Sequence, residues 1–205
     1  VAQAMRDLGL KSRVSKRFKP TTTQADPSKR PAANVLDRDF TAEAPNQKWV
    51  TDITYIRKCE GWLYLCVVID LHSGLVVGWS MSHCQNRQLV IQAVLMALWQ
   101  RESRTPVMLH SDRGTQFTSE EYQQFLKGHN VTCSMSGVGS CADNAAAESF
   151  FGLLKRERVN RRRYITRADA RADVFDYIEC FHNPRRRRRL VQGESTLTKP
   201  STEMG

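Results

Sequence analysis

No stretch of this chain approaches the roughly 18 to 20 uninterrupted apolar residues that span a bilayer, and its first residues lack the apolar centre of a secretion signal. The expectation is a soluble protein kept inside the cell. The six cysteines (Cys59, Cys66, Cys84, Cys133, Cys141, Cys180) include no Cys-x-x-Cys pair. None stands at structural-zinc spacing from a histidine except the adjacent His83-Cys84, so a zinc ribbon is excluded and mostly buried, reduced thiols are expected. There is no Gly-x-Ser-x-Gly elbow, so Ser73 and Ser111 do not read as hydrolase nucleophiles. No internal repeat is present. At 205 residues the chain is long enough to bury a core without staples.

What is abundant is positive charge, and it is segregated. The net charge is +10, with 9 basic against 4 acidic side chains over residues 1–39, 8 against 10 over 40–154, and 14 against 7 over 155–205. A mildly acidic middle between two basic arms suits a protein whose arms hold phosphates by a salt-sensitive attraction while its centre binds cations.

Along the chain, residues 1–10 read as the end of a helix stopped near Gly9, followed by a linker from Lys11 to Ala33 with Pro20, Pro27 and Pro31. β-branched and aromatic patterning predicts strands over 48–57, 62–71 and 75–81, joined by turns at Cys59-Glu60-Gly61 and His72-Ser73-Gly74. A helix is expected over 86–102 with Val90, Ala93, Val94, Ala97 and Leu98 on its buried face. A short strand at 107–110, a helix over 119–128 capped by Ser119, a strand at 131–135, a loop from Gly137 and a helix from Asp143 to about Val159 follow. Ala168, Ala172, Phe175 and Ile178 place the inner face of a last helix over 167–181, and beyond Arg185–Arg189 the polar end has little power to fold. Trp49, Trp62 and Trp79 are expected in the core. A meander followed by alternating elements predicts an α/β domain: a ribonuclease-H-like, mixed five-stranded sheet flanked by helices, with basic N- and C-terminal extensions. The expected organisation is a basic arm over 1–40, a catalytic core over 41–183 and an Arg-rich tail over 184–205.

Three acids in this frame carry the chemistry. Asp52 lies inside the first strand, Asp112 just past the fourth, and Glu148 on a helix, with 35 residues between Asp112 and Glu148. Each has an ordinary explanation alone: a strand aspartate, a turn cap, an exposed helix glutamate. Together they are a set of hard oxygen ligands for Mg²⁺ or Mn²⁺. Two ions about 3.5 to 4 Å apart can activate the attacking oxygen and stabilise the leaving one during displacement at phosphorus. Asn144, Glu148 and Lys155 fall at i, i+4 and i+11 on one helical stripe, beside an apolar stripe of Phe150, Leu153 and Leu154. Asn144, Lys155, Arg156, Arg158, Arg161, Arg162 and Arg163 are therefore the expected DNA contacts. Asp70 reads as a cap on its turn rather than a fourth acid, and His110 as locally hydrogen-bonded.

The blocks Pro45-Asn46 through Tyr55, Gly61 through Asp70, Ser111 through Ser119 and Asp143 through Glu157 together resemble the catalytic part of OrfB-type transposases of bacterial insertion sequences, relatives of retroviral integrases. The resemblance covers about residues 34–183. It implies a DDE triad of the D,D(35)E type at Asp52, Asp112 and Glu148, with Lys155 at the position of a lysine near the DNA ends. It further implies Mg²⁺-dependent (or Mn²⁺-dependent) 3′-end cleavage and strand transfer, with two ions. The partners it implies are the element's terminal repeats, target DNA, further copies of the chain on paired ends, and an upstream helix-turn-helix protein, in a bacterial cytoplasm and at the nucleoid when bound to DNA. On this resemblance residues 1–10 are the remnant of a helical DNA-binding segment. The pattern departs from the family where Arg185–Arg189 runs straight into Leu190-Val191-Gln192. The competing readings are a truncated, catalytically incompetent DNA-binding product that modulates transposition, and a ribonuclease-H-type nuclease on RNA·DNA hybrids.

Overall fold

The computed structural model describes Asp7 and residues 31–58, 61–101, 105–137 and 144–193. The helix expected at residues 1–10, apart from Asp7, the linker to residue 30, Asp143 and the polar end from residue 194 lie outside the described residues. Strands β1 (Lys48–Lys58), β2 (Gly61–Asp70) and β3 (Val76–Ser82) form an antiparallel meander, and β4 (Val107–Ser111) and β5 (Val131–Met135) add in parallel, in the order β3-β2-β1-β4-β5. This is the mixed five-stranded sheet expected. Helices α1 (Arg87–Gln100), α2 (Glu120–Gly128), α3 (Ala145–Glu157), α4 (Arg167–Phe175) and α5 (Asn183–Val191) surround it, with a π-helical stretch, Asp176–His182, joining the last two.

The sheet is buried on both faces, which is why β2 reads as a near-continuous apolar run. One face carries Val50, Ile56, Leu65 and Val67 against Phe150 and Leu154 of α3 and Val174 of α4. The other carries Trp49, Cys66 and Val68 against Val90 and Val94 of α1 and Tyr122 and Leu126 of α2. Asn86 caps α1 by accepting the Leu89 N–H at 3.1 Å. Gly78 lets that helix lie on β3, because a Cβ there would run into the Ala93 carbonyl oxygen.

Several expectations need correction. Ser119 precedes α2 but makes no cap bond; its Oγ donates to Gln116 O at 3.0 Å. The inner face of α4 and the π-helical stretch is Ala170, Val174, Tyr177 and Ile178, whereas Ala168, Ala172 and Phe175 are exposed. The buried stripe keeps a helical spacing but is the neighbouring one, in which a buried polar residue, Asp173, takes a place that apolar periodicity gives to an apolar one. The boundary expected at 183/184 falls inside the helical stretch. Asn183 accepts from Val76 N and donates to Val76 O, at 3.0 and 2.9 Å, and so ties the arginine helix to β3. Trp62 is 45% exposed rather than core. Of the described cysteines, Cys66 is buried, Cys133 partly so, and Cys84 and Cys180 are exposed.

Candidate active site

The parallel pairing of β1 with β4 ends at Val50 opposite His110, so two residues further on the same register carries Asp52 towards Asp112. Helix α3 packs on β1. Asn144, the residue before that helix, is buried, and its Nδ2 donates to Thr51 O at 3.2 Å. It thereby fixes the start of α3 to the strand that holds Asp52 and sets Glu148 in the first helical turn. Three separate segments thus bring their acids to one end of the sheet.

The two aspartates are held by local backbone. Asp52 Oδ1 accepts from Ile53 N at 2.7 Å, and Asp112 Oδ1 from Gly114 N at 2.9 Å. Arg113 Nε donates to Ser136 O at 2.7 Å, and Ser136 N to Ser111 O at 3.0 Å, which braces the Asp112 loop against the end of β5. Burial, followed by the negative charge of Asp112, pushes the Asp52 carboxyl up from 3.8 to about 7; Glu148 adds to this, while the Ile53 N–H and Lys155 oppose it. Among the described residues no three His, Cys, Asp or Glu side chains converge closely enough to form a ready-made metal cage. Asp112 turns to Gly114 N, and Glu148 is exposed. The donors are all carboxylate oxygens, the chemistry Mg²⁺ or Mn²⁺ takes.

Lys155 shares the site. Its Nζ lies 4.8 Å from the centroid of the Tyr55 ring, and burial holds the ammonium below the usual lysine range against the pull of the Asp52 charge. The other expected DNA contacts divide. Arg156, Arg161 and Arg163 are exposed. Arg158 and Arg162 instead bind Asp173 at 3.2 and 2.6 Å, Arg158 also reaches Asp176 at 2.7 Å, and Tyr164 donates its hydroxyl to Asp173 at 2.6 Å. These two arginines pin the segment after α3 to α4. Asp70 caps its turn, accepting from Asn46 N, Ser73 N and Ser73 Oγ at 2.9, 2.9 and 2.6 Å. His110 Nδ1 is 2.9 Å from Ser134 Oγ. A cavity of about 450 Å³ lined by Asn46, Asp70, Ser73, Asn183 and Leu190 contains none of the three acids.

Residues 42–141 match the family Integrase core domain, and residues 148–198 match a second family of that description. The chain is 48% identical over 195 residues to the transposase InsF for insertion sequence IS3A of Escherichia coli (strain K12), a match that covers 95% of this chain and 67% of that protein. The chain belongs to the insertion-sequence transposases with an integrase core. A transposase for insertion sequence element IS904 of Lactococcus lactis subsp. lactis (strain IL1403) is 38% identical over 187 residues, covering 91% of this chain and 73% of the relative. As a transposase core of this family, the chain is a polynucleotidyl transferase of the DDE type. In fold it resembles the catalytic domain of Mos1 mariner transposase, with TM-score 0.57 at 12% identity over 75% of this chain and 85% of that one. It also resembles a chain of a simian T-cell lymphotropic virus intasome in complex with PP2A regulatory subunit B56 gamma, with TM-score 0.59 at 17% identity over 87% and 65%. These likenesses support the ribonuclease-H-like fold. Among the described residues no helix is long and apolar enough to cross a membrane.

Sequence reasoning passed over Tyr55 and placed Trp62 in the core. Their rings meet edge to face at 4.9 Å beside Lys155, and the signal was an aromatic at a strand's first positions next to a turn glycine.

Proposed function

We propose that this transposase core cleaves the 3′ ends of an insertion sequence and joins them to target DNA by metal-dependent phosphoryl transfer, with Asp52, Asp112 and Glu148 as one centre. The observation that carries the reading is the raised Asp52 carboxyl, a group that burial and two neighbouring acids hold near neutrality and that a divalent cation would return to its ionised form. Asp52 and Asp112 would hold the first ion, or bridge both, and Glu148 would complete the second. Mg²⁺ or Mn²⁺ there supplies charge neutralisation and activation of the attacking and leaving oxygens. The chain's own part is positional. Asn144 fixes α3 to β1, the Gly114 N–H orients Asp112, and Lys155 presents a cation to the DNA backbone beside the acids. Exposed Arg156, Arg161 and Arg163 extend that cationic surface. None of the three acids is needed as a proton-transferring base.

The ribonuclease reading would want a fourth acid, and Asp70 is committed to its own turn. The test incubates the protein with labelled, pre-cut DNA ends and a supercoiled plasmid, with Mg²⁺ present or chelated, beside Asp112→Asn. Metal-dependent joined product that disappears in the variant supports the proposal. DNA binding without joining by either protein would leave the modulator reading in its place.

A further inference from the structure

Trp62 is anomalous in its strand. The residues that follow it, Leu63 and Leu65, are fully buried, whereas this indole is 45% exposed. Tyr55, its diagonal neighbour across the β1–β2 pair, meets its ring edge to face at 4.9 Å and is itself partly buried beneath the Lys155 ammonium. The Tyr55 ring is thus committed to a cation and an indole, and what the cluster offers to solvent is the indole. Among the exposed apolar side chains, this one is set apart by its company, a second ring in edge-to-face contact that itself carries a cation, an arrangement that suits a contact surface.

The position of the cluster defines the contact. Asp52 and Tyr55 point to opposite faces of β1, but the β4 pairing ends at Val50, so the edge of β1 beyond it is open to α3. Lys155 on that helix reaches the Tyr55 ring while its charge acts on Asp52, so one side chain bridges the acids and the aromatic pair. Trp62 lies in register with Arg57, five residues along β1 from Asp52, about 16 Å, or about five nucleotides of a DNA strand. Arg57, opposite Trp62, is exposed and adds a second cation.

We propose that Trp62, buttressed by Tyr55 and flanked by Lys155 and Arg57, stacks on one unpaired nucleobase of the DNA substrate about five nucleotides from the reacting phosphate. This inference rests on the reading of the three acids as the reaction centre. Charge complementarity selects the occupant: a flat aromatic face between cations fits a base on a phosphate backbone, and any base suffices because each has a π-face. A paired base keeps its faces inside the stack, so the base must have left the duplex.

The test uses two DNA ends of identical top strand, one fully paired and one whose five terminal pairs are mismatched, with 2-aminopurine at the fifth nucleotide. Binding is measured with all divalent metal chelated, so failure of the carboxylate reading shows in joining assays and not here. The wild-type chain is expected to bind the mismatched end roughly tenfold more tightly than the paired one and to quench 2-aminopurine. Trp62→Ala should lose the preference and the quench, and Trp62→Phe should keep most of both. Equal binding of the two ends by wild type, or no binding at all, overturns the proposal. So does an equal loss on both ends in Trp62→Ala. If Trp62→Phe is as defective as Trp62→Ala with a lowered melting temperature, the indole is a packing residue; if Trp62→Ala changes the mass in sedimentation instead, the patch is a contact between copies.

Discussion

Replacing Asp52 by Asn should stabilise the metal-free protein, and by more at pH 8 than at pH 5. The native carboxyl sits at about 7 against an ordinary 3.8, so between those values the folded chain keeps a proton that the unfolded chain has released. Stability therefore falls as pH rises through that window, and the loss is complete above pH 7. At full weight the difference corresponds to about 4 kcal/mol at pH 8 and about 1.6 kcal/mol at pH 5. Relaxation and water around a partly exposed group reduce the increment between the two pH values to about 1–2 kcal/mol. With about 2–4 °C per kcal/mol for a domain of this size, the advantage of Asp52→Asn in melting temperature should grow by about 2–8 °C between pH 5 and pH 8. Comparing variant with wild type at each pH cancels the titration of every other group. Thermal unfolding followed by circular dichroism in chelator reads it. In a second arm, 10 mM Mg²⁺ and a dissociation constant of about 1 mM should stabilise wild type by about 1.4 kcal/mol at pH 8 and the variant by much less. An Asp52→Asn protein no more stable than wild type at pH 8, or an advantage that does not grow with pH, would refute the reasoning.

Lys155→Gln should weaken DNA-end binding and lower the slope of log affinity against log salt by about 1, read by fluorescence anisotropy at several salt concentrations; an unchanged slope would remove Lys155 from the phosphate contacts. Asp173→Ala should cost about 2–4 kcal/mol in urea unfolding, because it removes at once the acceptor of Arg162 and Tyr164 and one of the two acceptors of Arg158; a change within about 0.5 kcal/mol would show that these contacts are idle. His182 packs edge to face on Phe150 at 4.9 Å, and burial pushes its imidazole down from 6.5 to about 4. Below pH 6.5 the unfolded chain gains a proton that the native chain refuses, so stability falls as pH drops towards 4. His182→Gln should flatten that part of the stability profile, and an unaltered acid limb would contradict the assignment.

The strands and the three acids were legible because both signals are local or nearly so. β-branched runs between turn residues mark β1 to β3, and the acids occupy ends of elements that periodicity can place. Their mutual charge interaction at Asp52 depends on the β1–β4 register, which no short window of sequence contains. The same limit explains the misses. The fate of Arg158 and Arg162 is decided by Asp173, 15 and 11 residues away on another helix, and the order of the arginine run by Asn183 bonding Val76 from 107 residues off. The face of α4 was misread because its buried stripe contains Asp173, a charged residue held by Arg158, Arg162 and Tyr164, which an apolar pattern passes over. Trp62 was assigned to the core because a strand pattern says which way a side chain points and not whether anything covers it.

The claim that Asp52, Asp112 and Glu148 act as one centre is tested most directly by joining of pre-cut ends in Mg²⁺. Asp52→Asn, Asp112→Asn, Glu148→Gln and the Asp52→Asn/Glu148→Gln double variant would be assayed beside wild type. The account predicts that each single variant loses joined product by about 10³-fold or more and that the double variant is no worse than the singles, as for groups that work as a unit. A single variant that joins at near the wild-type rate, or losses that multiply in the double variant, would contradict it.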